Sequence, residues 1–208
     1  MDGSHSLLAI SSGRHDAVES LLDWASALAR GGVRRIQVRE KGWSDRVLLD
    51  AVSRLVAGLP PGVEILVNGR CDVADLSGAS GVHLPAQGVA VESAREILGR
   101  DLVVGRSTHS LAAVREAMSQ GVDYVVFGPV FEPLSKASHG PSKGLEALAE
   151  AASVGVPVYA LGGVTIDRLT EIGATGAAGV AGITMFQNAK TIQELVERAG
   201  AVFGRGRT

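Results

Sequence analysis

Short apolar runs alternate with longer amphipathic segments along this chain. Eight runs of strand length are rich in Val, Ile, Leu and Ala, and they occupy positions 7–10, 35–39, 64–67, 81–84, 102–105, 124–128, 158–162 and 179–183. Segments with a helical period lie between and after them, at 17–29, 45–56, 92–98, 111–118, 145–152 and 191–202. Strands that alternate with helices pair in parallel through crossover connections. The pattern therefore predicts an α/β fold with a parallel sheet.

The predicted helix boundaries carry residues that favour helix ends. A hydroxyl residue precedes the second, fifth and seventh helices, where its oxygen can accept a hydrogen bond from a free backbone N–H: Ser44, Ser110 and Thr165. Glycines stand where helices should stop, at Gly31, Gly32, Gly99, Gly121 and Gly155. These signals support the alternation read from hydrophobicity.

Two architectures fit this alternation, an open doubly wound sheet and a closed barrel. A dinucleotide-binding sheet needs a G-x-G-x-x-G turn after its first strand, but the first strand here runs into Ser11-Ser12-Gly13-Arg14. The count of eight strands and the late Gly162-Gly163 pair favour the barrel. Barrels of this kind begin at about 200 residues. We therefore expect residues 1–208 to form a single (β/α)8 TIM-barrel domain.

Composition and charge narrow the classes of partner. The formal net charge is −2, and the basic segment 204–207 is too short for a nucleic-acid arm, so neither nucleic acid nor membrane is an expected partner. Cys71 is the one cysteine of the chain, so an intrachain disulfide is excluded. We expect its thiol to be inert. The first residues lack a basic targeting region, and no apolar run approaches the length of a bilayer span, about 20 residues. We expect a cytoplasmic protein, and the oligomeric state stays open, with a homo-oligomer among the alternatives.

Polar side chains follow the predicted strands, which is where a barrel places its chemistry. The set comprises Gln37, Arg39, Glu40, Lys41, Asn68, Arg70, His83, Arg106, Ser107, His109, Glu132, Ser135, Lys136 and His139. Alternation along a strand aims Gln37 and Arg39 to the same side, into the barrel. Buried charge needs a partner. That partner is either a bound anion or a salt bridge to Glu40 or Glu132.

Two glycine-bearing turns end the seventh and eighth strands. They contain Gly162 and Gly163 after one strand, and Gly182, Ile183 and Thr184 after the next. Many barrels bind phosphate between these two loops through free backbone amides. The alternative is that Gly162-Gly163 serves a tight turn only.

The long connection 132–143 is interpreted either as a lid that brings Lys136 to an anionic substrate or as a surface loop.

Six motifs in order resemble the thiamine phosphate synthase family, including its thiazole tautomerase (TenI) branch. The similarity runs from about Gln37 to Phe186 through the segments QVREK (37–41), NGRCDVA (68–74), GVHLP (81–85), GRSTHS (105–110), DYVVFGPVF (123–131) and Gly162-Gly163. The resemblance implies a (β/α)8 barrel with a site for a thiazole phosphate in thiamine biosynthesis.

The resemblance implies different chemistry for the two branches. The synthase joins a pyrimidine diphosphate to thiazole phosphate, releases pyrophosphate and uses Mg2+, for which carboxylates are the usual protein ligands. Gly69 and Gly88 stand here where the synthase pattern has aspartates, and its Thr-x-Thr-Lys stretch is altered at 133–136. The tautomerase aromatises a thiazole carboxylate phosphate without metal, but Pro129 replaces the histidine that serves as its base.

The segments Asn68-Gly69-Arg70, His83-Leu84-Pro85 and 105–110 resemble the tautomerase branch more closely. With the two missing carboxylates, this resemblance implies a metal-independent, tautomerase-like isomerase without a cofactor. His109 and His83 are its candidate catalytic bases, since histidine titrates near neutrality, with Glu40 and Glu132 as alternatives. The predicted ligand-binding residues are Gln37, Arg39, Lys41, Asn68, Arg106, Ser107, Lys136, Gly162, Gly163, Gly182, Ile183 and Thr184. Two alternatives stay open: a synthase that needs Mg2+, and a non-catalytic protein that binds thiazole or thiamine phosphate.

Overall fold

The computed structural model describes residues 5–99, 101–132, 141–187 and 192–204. Their strands form a closed parallel barrel in sequence order, in which the last strand pairs with the first. The strands are β1 Leu7–Ile10, β2 Arg35–Val38, β3 Glu64–Asn68, β4 Gly81–Leu84, β5 Val103–Thr108, β6 Tyr124–Phe127, β7 Val158–Ala160 and β8 Gly179–Gly182. The predicted (β/α)8 barrel is confirmed.

A helix follows each strand and covers the outside of the barrel. The helices are α1 Val18–Arg30, α2 Asp45–Gly58, α3 Cys71–Ser77, α4 Val91–Leu98, α5 Leu111–Ser119, α6 Gly144–Ala152, α7 Leu169–Ala174 and α8 Ile192–Phe203. Ser44 and Ser110 cap α2 and α5 as predicted, because their hydroxyls accept the amides of Val47 and Ala113. Thr165 makes no such bond; its carbonyl instead starts a 3-10 turn, Ile166–Arg168, that leads into α7.

The core has two layers because parallel strands are buried on both faces. The outer layer lies between strands and helices and contains side chains such as Leu21, Val52 and Leu148. The inner layer fills the barrel and consists of Leu8, Ile10, Leu66, Tyr124, Val126, Tyr159 and Ala181. Aromatic and branched side chains thus close the lower part of the barrel and leave the carboxyl ends of the strands for a site.

Cys71 opens α3 and is 5% exposed within the outer layer. Burial, with a smaller contribution from Asp72, raises the pKa of its thiol. A thiol that resists ionisation is a poor nucleophile, as the sequence interpretation expected. Among the helices that the structure describes, none is long and apolar enough to cross a membrane.

Candidate active site

A cavity of about 500 Å3 opens at the carboxyl ends of the strands. Predicted residues that the fold brings together around it are Gln37, Arg39, Lys41, Asn68, His83, Ser107, His109, Gly162, Gly163, Gly182, Ile183 and Thr184. Apolar side chains such as Ile10, Val126 and Leu161 form the rest of the wall. The volume lies in the range of small-molecule sites, roughly 300–1,000 Å3.

One predicted residue lies outside the cavity wall, and another falls outside the described residues. Arg106 was expected after the fifth strand, but β5 continues to Thr108, so alternation sends Ser107 inward and Arg106 outward. The Arg106 guanidinium donates to the carbonyl oxygens of Ala86 and Val89, at 3.1 Å each, outside the cavity wall. The structure therefore places Arg106 away from the position predicted for it, and its role in ligand binding stays a prediction. Lys136, with Ser135 and His139 of the predicted lid, lies outside the described residues.

Arg39 and Lys41 supply positive charge at the end of β2. The Arg39 backbone amide donates to the buried hydroxyl of Ser11 at 2.7 Å, which fixes the start of this segment. None of the ion pairs among the described residues involves either cation. A cation without a carboxylate partner at a cavity wall is available to bind an anion.

Glu40 lies between these cations in sequence but turns away from the cavity. It is 4% exposed, and its two carboxylate oxygens accept the backbone amides of Gly13 at 3.2 Å and His15 at 3.3 Å. The carboxylate therefore fixes the β1–α1 connection, and the alternative of a salt bridge from Glu40 to the cavity cations is not observed among the described residues. Glu132 is exposed at the edge of the described residues.

The two glycine-bearing turns lie next to each other on the cavity wall. Gly162 and Gly163 have φ angles of +98° and +61°, which favour glycine. A Cβ on Gly163 would stand 2.4 Å from the carbonyl oxygen of Glu132. No loop hydrogen bond among the described residues uses the amide of Gly162, Gly163 or Thr184 as its donor. These amides therefore form a group of available donors, separated from Arg39 by β1.

Gln37 adds an unpaired acceptor to the wall. Its amide nitrogen donates to Asn68 Oδ1 at 2.9 Å, which orients both side chains across β2 and β3. Its Oε1 is buried and has no hydrogen-bond partner among the described residues. An unsatisfied buried acceptor is costly. A ligand with an N–H or O–H donor would satisfy it.

His83 is held between two hydroxyl groups in the cavity floor. Its Nδ1 lies 2.9 Å from the Tyr124 hydroxyl and its Nε2 lies 2.8 Å from Ser107 Oγ. Burial lowers the pKa of His83 to about 3. A neutral histidine that uses both ring nitrogens in these contacts is poorly suited to act as a base near neutral pH, and its catalytic role stays a prediction.

His109 occupies the rim of the cavity and is exposed. Its Nδ1 lies 2.7 Å from the carbonyl oxygen of Gly128. A carbonyl oxygen can only accept, so Nδ1 carries the proton in this contact. In the neutral ring Nε2 is then an acceptor. His109 keeps the position predicted for it, and its role stays a prediction.

The neutral His83 predicts a pH dependence of stability. The folded-state pKa lies below the ordinary value of about 6.5, so the unfolded chain binds more protons as the pH falls. The contribution of neutral His83 to the free energy of unfolding is complete above the ordinary pKa of about 6.5. It falls on acidification by about 1.4 kcal/mol per pH unit between about pH 6 and pH 4. Urea unfolding at these pH values should show the slope in the wild type and a smaller slope in His83→Gln. Equal slopes in the two proteins would contradict the prediction.

Sequence reasoning missed the half-buried polar group below the cavity. The Arg35 guanidinium stacks over the ring of Tyr124, donates to Glu64 and donates to the hydroxyl of Tyr159 at 2.9 Å. The signal was present, because Arg35, Gln37 and Arg39 alternate along one strand and so face the same side. The aromatic partners come from distant strands and cannot be read from local sequence.

The cavity offers no carboxylate to a metal ion. No Asp or Glu is part of the described wall, and no group of three or more His, Cys, Asp or Glu among the described residues could hold a metal. Gly69 and Gly88, at the positions of the expected aspartates, have no side-chain ligand, and Asp72 pairs with Arg70 at 2.7 Å. Mg2+ prefers carboxylate oxygen among protein ligands. The donor set therefore does not fit a magnesium ion held by protein carboxylates.

The geometry defines a (β/α)8 barrel of the kind that carries its active site at the carboxyl ends of the strands. A sequence model of the family described as Thiamine monophosphate synthase matches residues 7–186. The chain belongs to this family.

Individual relatives agree with the family match. Thiamine-phosphate synthase of Anaeromyxobacter dehalogenans is 41% identical over 184 residues, which cover 88% of this chain and 83% of that relative. Thiamine-phosphate synthase of Methanoculleus marisnigri is 41% identical over 164 residues, or 78% of each chain. The solved thiamine phosphate pyrophosphorylase from Pyrococcus furiosus has a TM-score of 0.84 at 29% identity, covering 98% of this chain and 99% of that one.

These relatives correct the predicted activity. The sequence motifs favoured a tautomerase-like isomerase, but the similar proteins are named as synthases at 34–41% identity over most of the chain. The isomerase prediction is wrong. The chain is a member of an enzyme family of thiamine biosynthesis, and the synthase, the alternative kept open above, is the activity that the relatives favour.

Proposed function

We propose that the protein is a thiamine-phosphate synthase. In this reaction the carbon–oxygen bond between a pyrimidinylmethyl group and its diphosphate breaks, a carbon–nitrogen bond to the thiazole phosphate forms, and pyrophosphate leaves. Both substrates are anionic, so the enzyme has to hold two phosphorylated groups near each other.

One observation carries this proposal: the cavity has two separate groups of anion-binding character. Arg39 and Lys41 supply charge at β2, whereas the free amides at Gly162, Gly163 and Thr184 lie at the ends of β7 and β8. An isomerase with one phosphorylated substrate needs one such group. A transferase with two phosphorylated substrates uses both.

The pairing of each group with a substrate follows from charge. A diphosphate carries more charge than a monophosphate ester, and its charge grows as it leaves. Side-chain cations are therefore suited to the diphosphate, and neutral backbone donors beside glycines are suited to the thiazole phosphate. The unpaired Gln37 Oε1, on the β2 side, then faces the pyrimidine and accepts from a donor on it.

The chemistry is also compatible with a neutral histidine in the cavity floor. Joining the two rings takes no proton from carbon, so the enzyme does not require a group that titrates near neutrality at the reacting atom. Pro129 in the wall and the neutral His83 are compatible with such a transfer. The contribution of the protein is then positioning of the two substrates and stabilisation of the leaving anion.

The direct test is pyrophosphate release from the two substrates, measured together with formation of the coupled product. We expect release with pyrimidine diphosphate and thiazole phosphate both present and excess Mg2+ supplied, and a basal rate when either substrate is omitted. Chelation of divalent ions in a parallel reaction measures the metal requirement. No turnover at saturating substrate would overturn the proposal, and tight calorimetric binding without turnover would instead identify the non-catalytic binder.

A further inference from the structure

A chain of polar contacts links the closed part of the barrel to the cavity. Arg35 stands over the ring of Tyr124, with its guanidinium carbon 5.1 Å from the ring centroid. The Tyr124 hydroxyl contacts His83 Nδ1 at 2.9 Å, and His83 Nε2 contacts Ser107 Oγ at 2.8 Å. Ser107 lies in the cavity wall, so the chain ends at the site.

Tyr124 is held in one place by its surroundings. It is 1% exposed and meets Tyr159 edge to face, with ring centroids 5.4 Å apart. Gly105 on the neighbouring strand leaves the space that the phenol occupies, since a Cβ there would stand 2.0 Å from the Tyr124 ring. Burial raises the pKa of the Tyr124 phenol, so the hydroxyl keeps its proton at neutral pH.

The direction of the hydrogen bonds follows from the number of protons available. Within the described part of the chain, His83 Nδ1 is the only hydrogen-bond partner of the Tyr124 hydroxyl. If Nδ1 were the donor, the phenolic proton would be buried without an acceptor, which is costly. The phenol therefore donates to Nδ1. A neutral imidazole carries one proton, which then lies on Nε2 and is donated to Ser107 Oγ.

This order decides what Ser107 presents to the cavity. Because Ser107 Oγ accepts from His83 Nε2, its own proton is not used in that contact. The hydroxyl is then free to donate into the cavity. In the opposite order Ser107 would spend its proton on His83 and offer only lone pairs, which repel an anion.

We propose that Tyr124 and His83 are positioning residues that fix Ser107 as a hydrogen-bond donor toward an anionic oxygen in the cavity. The fixed tautomer is a property of the protein alone. Its use, donation to a phosphoryl oxygen of the leaving diphosphate, rests on the proposed synthase function. His83 has the low pKa described above, so the order of donors holds across the neutral range.

The tautomer can be observed directly in the free protein. Nitrogen-15 NMR of histidine-labelled protein separates Nε2–H from Nδ1–H rings, and His83→Gln assigns the signal among the five histidines. We expect the Nε2–H form in the wild type and a gain of the Nδ1–H form in Tyr124→Phe. A wild-type Nδ1–H ring, or a tautomer unchanged in Tyr124→Phe, would overturn the inference. Tyr159→Phe is the matched control, because its hydroxyl contacts Arg35 and His5 rather than His83.

The kinetic consequence separates positioning from simple stabilisation. Ser107→Ala should lower kcat by about a hundredfold, as for loss of a donor to a developing anion. Tyr124→Phe should lower kcat about tenfold with little change in the KM for thiazole phosphate, and the double variant should be no slower than Ser107→Ala, because residues that act as one unit are not additive. Ser107→Thr, which keeps the hydroxyl, should retain activity. Additive effects of the two substitutions would overturn the inference.

The two tests distinguish this inference from the proposed function. An inactive wild-type protein with the expected tautomer would overturn the synthase proposal and leave the fixed donor order standing. An active synthase whose His83 carries the proton on Nδ1 would overturn the donor order and leave the synthase proposal standing.

Discussion

Gly163→Ala is expected to lower the free energy of unfolding by about 3 kcal/mol and to abolish measurable binding of thiazole phosphate. Gly163 has a φ of +61°, and this left-handed conformation costs an L-residue about 1–2 kcal/mol. The added Cβ would also stand 2.4 Å from the Glu132 oxygen and 2.7 Å from Phe131 Cβ. Overpacking of this kind typically costs about 1–3 kcal/mol. Any movement that relieves the contact displaces the amides that are proposed to hold phosphate.

The matched control is Gly121→Ala. Gly121 has a φ of +78°, but no atom lies within 4 Å of the added Cβ. This variant therefore carries the backbone penalty without the clash and lies away from the cavity. Urea unfolding and calorimetric titration should show a smaller stability loss and unchanged affinity. Equal stability losses in the two variants, or wild-type affinity in folded Gly163→Ala, would refute the expectation.

Arg39→Ala is expected to weaken binding of inorganic pyrophosphate by roughly 1.5–3 kcal/mol, the range for a hydrogen bond to a charged group, which is about 10- to 150-fold in affinity. Arg39 lines the cavity and has no carboxylate partner among the described residues, so an anion is its natural partner. Turnover should fall with it, because the leaving diphosphate would lose part of its stabilisation.

Arg46→Ala provides the control for Arg39→Ala. Arg46 is exposed near the start of α2 and is not part of the described cavity wall. Its substitution by alanine removes the same charge as Arg39→Ala. Isothermal titration with pyrophosphate should therefore give an affinity close to that of the wild type. A similar loss in both variants would mean that net charge, rather than a specific contact, governs the binding. An unchanged affinity in Arg39→Ala would limit this arginine to a structural role.

Hydrophobic periodicity, together with the count of eight strands, the missing dinucleotide-binding turn and the Gly162-Gly163 pair, predicted the fold but not every strand end. β1 and β4 have the predicted bounds because a polar or turn-forming residue stops each apolar run. The predicted fifth strand, 102–105, stopped too early, since β5 runs through Arg106, Ser107 and Thr108. Polar residues that continue a strand into a site are invisible to a search for apolar runs. The misplaced end of β5 is the reason that Arg106 was assigned to the cavity.

The residue types in the site were predictable, whereas their protonation was not. The strand-end rule placed His83 at the cavity, but the properties of its ring depend on Tyr124, which is 41 residues away in sequence. Burial and tertiary partners decide whether a histidine is a base or a neutral link. Glu40 illustrates the same limit, because only the folded chain shows its oxygens on the amides of Gly13 and His15.

Local motifs were also a poor guide to the reaction. Gly69 and Gly88 are single-position departures that counted against a synthase, whereas Pro129 counted against a tautomerase, and short branch motifs then favoured the isomerase. Similarity over most of the chain outweighs them, since the relatives named as synthases match across the barrel.

The packed lower half of the barrel affects how substrates enter the cavity and how products leave it. Leu8, Leu66, Tyr124 and Tyr159 fill the space beneath the cavity, so its floor is closed by side chains. In the part of the chain that the structure describes, the cavity opens at the carboxyl ends of the strands, so both reactants and both products of the proposed reaction would pass through that opening. Whichever molecule lies deeper has to arrive first and depart last, and the architecture thereby imposes an order on exchange.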